Sequence, residues 1–142
     1  MAITSTVCTS FKTQVLTGTH NFTASSGDSF KLALYTSSAT LGAATTAFTT
    51  TGQSSGTNYT SGGSALTSIT PVASGTTAVC DFSNLTFSTA TVTARGCLIY
   101  NDDKSDKAVC AIDFGGEKAS TAGDFTIVFP APTATGAIIR LA

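Results

Sequence analysis

The hydrophobic positions change period near Phe30. Before it, Cys8, Phe11, Val15 and Leu16 fall at i, i+3, i+7 and i+8, one face of a helical repeat. This predicts a helical segment within residues 1–20, capped by Thr9 or Ser10 and stopped at Gly18. A short, Thr-rich helix is not stable alone, so it must dock as an arm on its own domain or on a neighbour. From Phe30 onward the period is two. Phe30, Leu32 and Leu34 alternate with Lys31, Ala33 and Tyr35, which predicts a half-buried strand. Further short strands are predicted over 65–71, 77–82, 85–87, 91–101 and 107–114, with alternation again at Phe125, Ile127 and Phe129 and a last strand over 137–141. Asp102–Asp106 forms the polar turn of one hairpin, and Pro130 and Pro132 suit a strand end within a second. Short strands separated by Gly and Ser clusters predict a single all-β domain over 1–142, an antiparallel β-sandwich of jelly-roll-like form.

One segment follows neither period. From Leu32 to Cys80 there is no Asp, Glu, Lys, Arg or His, and residues 36–63 are almost pure Thr, Ser, Gly and Ala. They predict a long uncharged loop pinned at intervals by Leu41, Phe48 and Tyr59. Surfaces that stay in water usually carry charge. A surface with Thr50 at its centre and no charge is therefore expected to lie against another subunit. The expected interaction residues are Phe11, Val15 and Leu16 from the helix, with Leu41, Phe48, Thr50 and Tyr59 from the loop.

Composition narrows the function classes. Apolar residues at 42% make the chain globular, while only 11% are charged. A net charge of −1 and scattered Lys and Arg leave no basic stripe for nucleic acid. Thr and Ser interrupt every apolar run, so no membrane partner is expected. The opening MAITSTVCTSFK has neither the basic start nor the apolar centre of a secretory leader, which predicts synthesis in a cytoplasm. Cys8, Cys80, Cys97 and Cys110 show no metal-ligand spacing and read as small buried hydrophobes. If the turn is centred between Asp103 and Lys104, Cys97 faces Cys110 across the hairpin, both as free thiols.

Candidate chemistry is sparse. Gly52-Gln-Ser54-Ser-Gly56 matches the G-x-S-x-G of a nucleophile elbow, yet no helix former follows it and His20 precedes it. A hydrolase acting through Ser54 is thus a distant alternative. Asp102, Asp103 and Asp106 cluster carboxylates but lack the Gly and distal Glu of a calcium loop; they read as a solvated tip balanced by Lys104 and Lys107. No catalytic residue, cofactor or metal site is expected.

Phe30-Lys-Leu-Ala-Leu-Tyr-Thr-Ser-Ser-Ala-Thr-Leu and Tyr59-Thr-Ser-Gly-Gly, together with Ala94-Arg-Gly-Cys-Leu-Ile-Tyr-Asn101, Lys107-Ala-Val-Cys-Ala-Ile-Asp-Phe-Gly-Gly116 and Ala137-Ile-Ile-Arg-Leu-Ala142, carry a resemblance. In these runs the chain resembles small uncharacterised proteins of tailed bacteriophages. The resemblance implies a virion structural protein and supplies no functional residues. Which part of the virion is not given by the resemblance; the uncharged loop and the apolar N-terminal segment suit a capsid decoration or cement protein that binds the major capsid protein or other virion proteins as a homo-oligomer, with a tail, neck or fibre-base component as the alternative.

Overall fold

A computed structural model describes residues 2–142. In chain order its elements are β1 (Thr6–Val7), α1 (Thr9–Leu16), β2 (Phe30–Tyr35), β3 (Ser64–Ala65), β4 (Ser68–Ser74), β5 (Thr77–Phe82), β6 (Leu85–Asn101), β7 (Lys107–Ile127) and β8 (Ile139–Leu141). They form two antiparallel sheets ordered β1-β7-β6-β2-β3 and β4-β5-β8, a sandwich-like all-β fold. One hydrophobic cluster joins the sheets. At its centre Phe22 stacks on Phe30 with ring centroids 4.3 Å apart, and Phe82 of the small sheet reaches both within 6.1 Å. Buried aromatic pairs of this kind add about 0.5–1.5 kcal/mol beyond their area.

The spine is longer than the sequence pattern suggests. The strands expected at 85–87 and 91–101 are one strand of 17 residues, and those at 107–114 and near Phe125 are one of 21. The second closing hairpin does not form, because β8 pairs with β5 instead of with β7. Gly115-Gly-Glu and Ser88-Thr carry no apolar alternation; they lie within β7 and β6 but stay unpaired, at the register shifts Ala94/Gly96 and Phe87/Ala90 of the β6–β7 ladder.

The hairpin register also differs from the expected one. Five turn residues, 102–106, join Asn101 to its partner Lys107, and a further shift between Ile99 and Tyr100 sets Cys97 opposite Ile112 and Cys110 opposite Ile99. A turn centred on Lys104 followed by one bulge moves every pairing by up to two residues from the expected Cys97–Cys110 match. All four cysteines are free and buried. Burial pushes the thiols up, to about 11 for Cys8 and about 12 for Cys80 and Cys97. They behave as apolar filling with little thiolate to react.

The N-terminal segment belongs to the fold. β1 pairs with β7, the Cys8 N–H donates to Val109 O at 2.9 Å, and Ile3, Cys8 and Phe11 are buried. Neither Thr9 nor Ser10 caps α1: Cys8 holds the N-cap position without a side-chain bond to the helix, its thiol donating to Gly42 O, while the Thr9 N–H donates to Ala43 O. Gly18, at φ +75°, ends the helix as expected, its N–H bonded to Val15 O. Leu16 is 88% exposed. It lies five residues beyond Phe11, hence about 140° around the helix from the buried face.

One buried group is out of balance. Asp81 is fully buried in β5; its Oδ1 accepts from the Phe82 N–H at 2.9 Å, but its Oδ2 has no partner. Burial raises its pKa, with the Phe82 and Ile138 N–H groups only partly opposing. A carboxyl whose folded pKa is raised favours the fold below its unfolded pKa and loses that contribution as pH rises through the folded value. Asp81→Asn should therefore raise Tm at pH 7, where each kcal/mol gained reads as roughly 2–4 °C. The advantage should vanish below about pH 4. Thermal melts of both proteins across that range check it, and an unchanged Tm at pH 7 would contradict it.

Candidate interaction surface

Residues 36–63 are an ordered arc laid along the edges of the large sheet. Leu34 O accepts from the Ser54 N–H, and Gly52 O accepts from the Thr36 N–H, so 52–54 extends the β2 edge beyond β3. Thr57 and Thr91 exchange both backbone bonds at 3.1 Å. Further back, the Phe48 N–H donates to Asp106 O, the Ala108 N–H to Thr46 O, and the Thr4 N–H to Leu41 O. A backbone lying this close to a sheet must satisfy its own N–H and C=O groups. Small residues allow that approach, and charged ones would be desolvated there. Self-packing therefore accounts for the inner half of the arc's composition.

Tyrosine hydroxyls staple the arc down. Tyr35 donates to Thr49 O at 2.6 Å and Tyr100 to Gly62 O at 2.6 Å. The Leu34 N–H donates to the Tyr59 hydroxyl at 2.8 Å, which donates in turn to Gln53 Oε1. Burial raises all three phenols, Tyr59 to about 12, so they remain protonated donors. Phe48 stacks on Tyr100 at 4.8 Å. The sequence scatters these tyrosines over separate segments, and only the fold brings them to one structure.

The expected interaction residues divide accordingly. Phe11, Leu41 and Tyr59 are at most 8% exposed and occupied in the chain's own core. Val15 and Phe48 are half-buried against that core. Only Leu16 and Thr50 face outward. The outer side of the arc is nonetheless wide and free of charge: Thr40, Ala43, Ala44, Thr46, Thr49 and Thr50 are all exposed. This side holds a shallow concavity of about 570 Å³ lined by residues such as Thr40, Leu41, Ala44, Thr46 and Thr49, with no charged group among them.

The motifs that suggested chemistry are occupied structurally. Ser54 is 3% exposed and its hydroxyl donates to Thr93 O at 2.7 Å, whereas a nucleophile elbow presents its hydroxyl outward. His20 is held elsewhere: Asn101 Nδ2 donates to its Nδ1 at 2.9 Å, so its Nε2–H donates to Gln14 Oε1 at 2.8 Å. Burial lowers its pKa. The 102–106 turn is docked instead of balanced within itself. Lys104 reaches Asp28 at 3.2 Å, Lys31 reaches Asp102 at 3.6 Å, and the Ser29 N–H donates to Asp103. Burial works against ionised Asp28, but bonds from Asn101, the Asn21 N–H and Lys104 outweigh it and leave the pKa low. Among the described residues no cluster of three or more His, Cys, Asp or Glu could hold a metal ion, and no helix is long and apolar enough to cross a membrane. No protein-family model, curated protein or solved structure matches the chain.

Proposed function

We propose that this chain is a structural protein of a tailed-bacteriophage virion, a capsid decoration protein that binds the major capsid protein and further copies of itself. The observation that carries the reading is the outer face of the arc, an exposed surface free of charge whose backbone is already bonded to the sheet. Interface centres are depleted of charge, because each buried charge must be paired to offset its desolvation. A surface held in place beforehand also loses little conformational entropy on docking. Hydroxyl-rich Thr and Ser can exchange water for a neighbour's polar groups at low cost.

Thr50→Asp tests it. Thr50 is exposed, so the isolated fold should keep its stability within about 0.5 kcal/mol. In an assembled contact the unpaired charge costs several kcal/mol, on the order of 3–5. Quantifying the chain in purified virions should therefore show abundant wild type and at least a tenfold deficit of the variant, with electron microscopy placing the wild type on the shell. Wild type absent from virions, or equal incorporation of both, would overturn the reading.

A further inference from the structure

Away from the arc, one apolar surface is left uncovered. A cleft of about 400 Å³ opens between α1 and the small sheet, lined by Val15 and Leu16 on one side and by Val79, Ile139 and Leu141 on the other. Only four large apolar side chains are exposed among the described residues, and Leu16 at 88% and Leu141 at 59% both border this cleft. A small molecule filling it would leave the outer sides of both leucines in water. A chain crossing it would cover them.

Two further features specify the chemistry of that chain. Ile139, Arg140 and Leu141 all line the cleft, although successive strand residues point to opposite faces. Ala78, Val79 and Cys80 of β5 and Pro71 of β4 line it as well, so the cleft crosses the small sheet as far as β8, its outermost strand. Its charged groups are also of one sign. Lys12 and Arg140 line it and no carboxylate does; the ion pairs among the described residues use Lys31, Arg95 and Lys104 instead.

We propose that this cleft receives a segment of the partner virion protein that carries apolar side chains beside a carboxylate. Burial of the apolar side chains supplies affinity, and the charge pairing supplies selectivity. The apolar ones lie between Leu16 and Leu141, and the carboxylate lies against Lys12 and Arg140. The inference rests on the virion reading and names the partner's contact chemistry.

The test adds purified chain to virions lacking it, comparing wild type, Leu16→Gln and the double variant Lys12→Glu/Arg140→Glu. Lys12, Leu16 and Arg140 are all exposed, so the variants should fold, which thermal melts check first. The expected result is at least a tenfold loss of binding in each variant, with wild-type binding falling as salt rises. If wild type and both variants bind alike, the cleft is not the site while the virion reading stands. If wild type itself does not bind, the virion reading falls and takes this inference with it. If light scattering shows a wild-type dimer that the variants split into monomers, the occupant is a second copy and the assigned partner is wrong.

Discussion

Deleting residues 1–17 should abolish folding, where the sequence pattern alone predicts only the loss of a binding arm. The segment contributes Ile3, Cys8 and Phe11 to the core and pairs Thr6 and Val7 with Ala111 and Cys110 on β7. Burying side chains such as Ile3 and Phe11 contributes about 1.5–3 kcal/mol each. Together they approach the lower end of the total stability of a domain, about 5–15 kcal/mol. The truncation also uncovers Phe22 and His20, which pack on Phe11 at ring distances of 5.9 and 4.9 Å. Far-ultraviolet circular dichroism and gel filtration should report an unfolded or aggregated chain. A cooperative melt within a few degrees of wild type would restore the segment to the status of an arm.

The second large effect is expected at Gly63. Its φ is +80°, and a Cβ built there would stand 1.8 Å from Leu32 O, a backbone atom of β2 that cannot swing aside. The left-handed conformation alone costs a non-glycine residue about 1–2 kcal/mol, and retreat of the arc would strain the Tyr100–Gly62 bond beside it. Gly63→Ala should therefore lose at least about 3 kcal/mol, a fall in Tm of roughly 6 °C or more. Gly116→Ala is the control, since nothing lies within 4 Å of its added Cβ and its φ is not left-handed. Equal Tm values for the two variants would show that the arc does not press on β2 as described.

Local pattern carried much of the architecture. The alternation at Phe30–Tyr35 marked a strand with those same bounds, the strand read over 77–82 is β5, and Gly18 marked the helix stop. Leu41, Phe48 and Tyr59 were legible as the pins of the uncharged segment, and the structure turns all three inward. The half-buried reading of β2 was incomplete. Ala33 and Tyr35 on its supposedly open side are as fully buried as Leu32 and Leu34, because covering elements close over both faces. Hydropathy along one strand cannot report a cover formed by distant residues.

The candidate surface was legible only as a composition. That residues 36–63 avoid charge is plain in the sequence. Which half of them contacts the chain's own sheet and which half faces outward depends on pairings such as Thr57 with Thr91 and Ser54 with Leu34. The cleft beside β8 was not legible at all, since it brings together Lys12 and Leu16 with Arg140 and Leu141 from the far end of the chain.

By itself the sequence determined most of where the backbone is extended or helical, though not the full length of β6 and β7, that the core is aromatic and β-rich, and that one long segment carries no charge. Those properties are set by neighbours a few residues apart, through side-chain period and turn chemistry. Only the tertiary structure decided the hairpin register, the incorporation of the N-terminal helix, the covering of both faces of β2 and the surfaces left open. Those depend on a five-residue turn, on bulges and on backbone bonds between distant segments, whose free energy is realised only once the whole chain has closed around them.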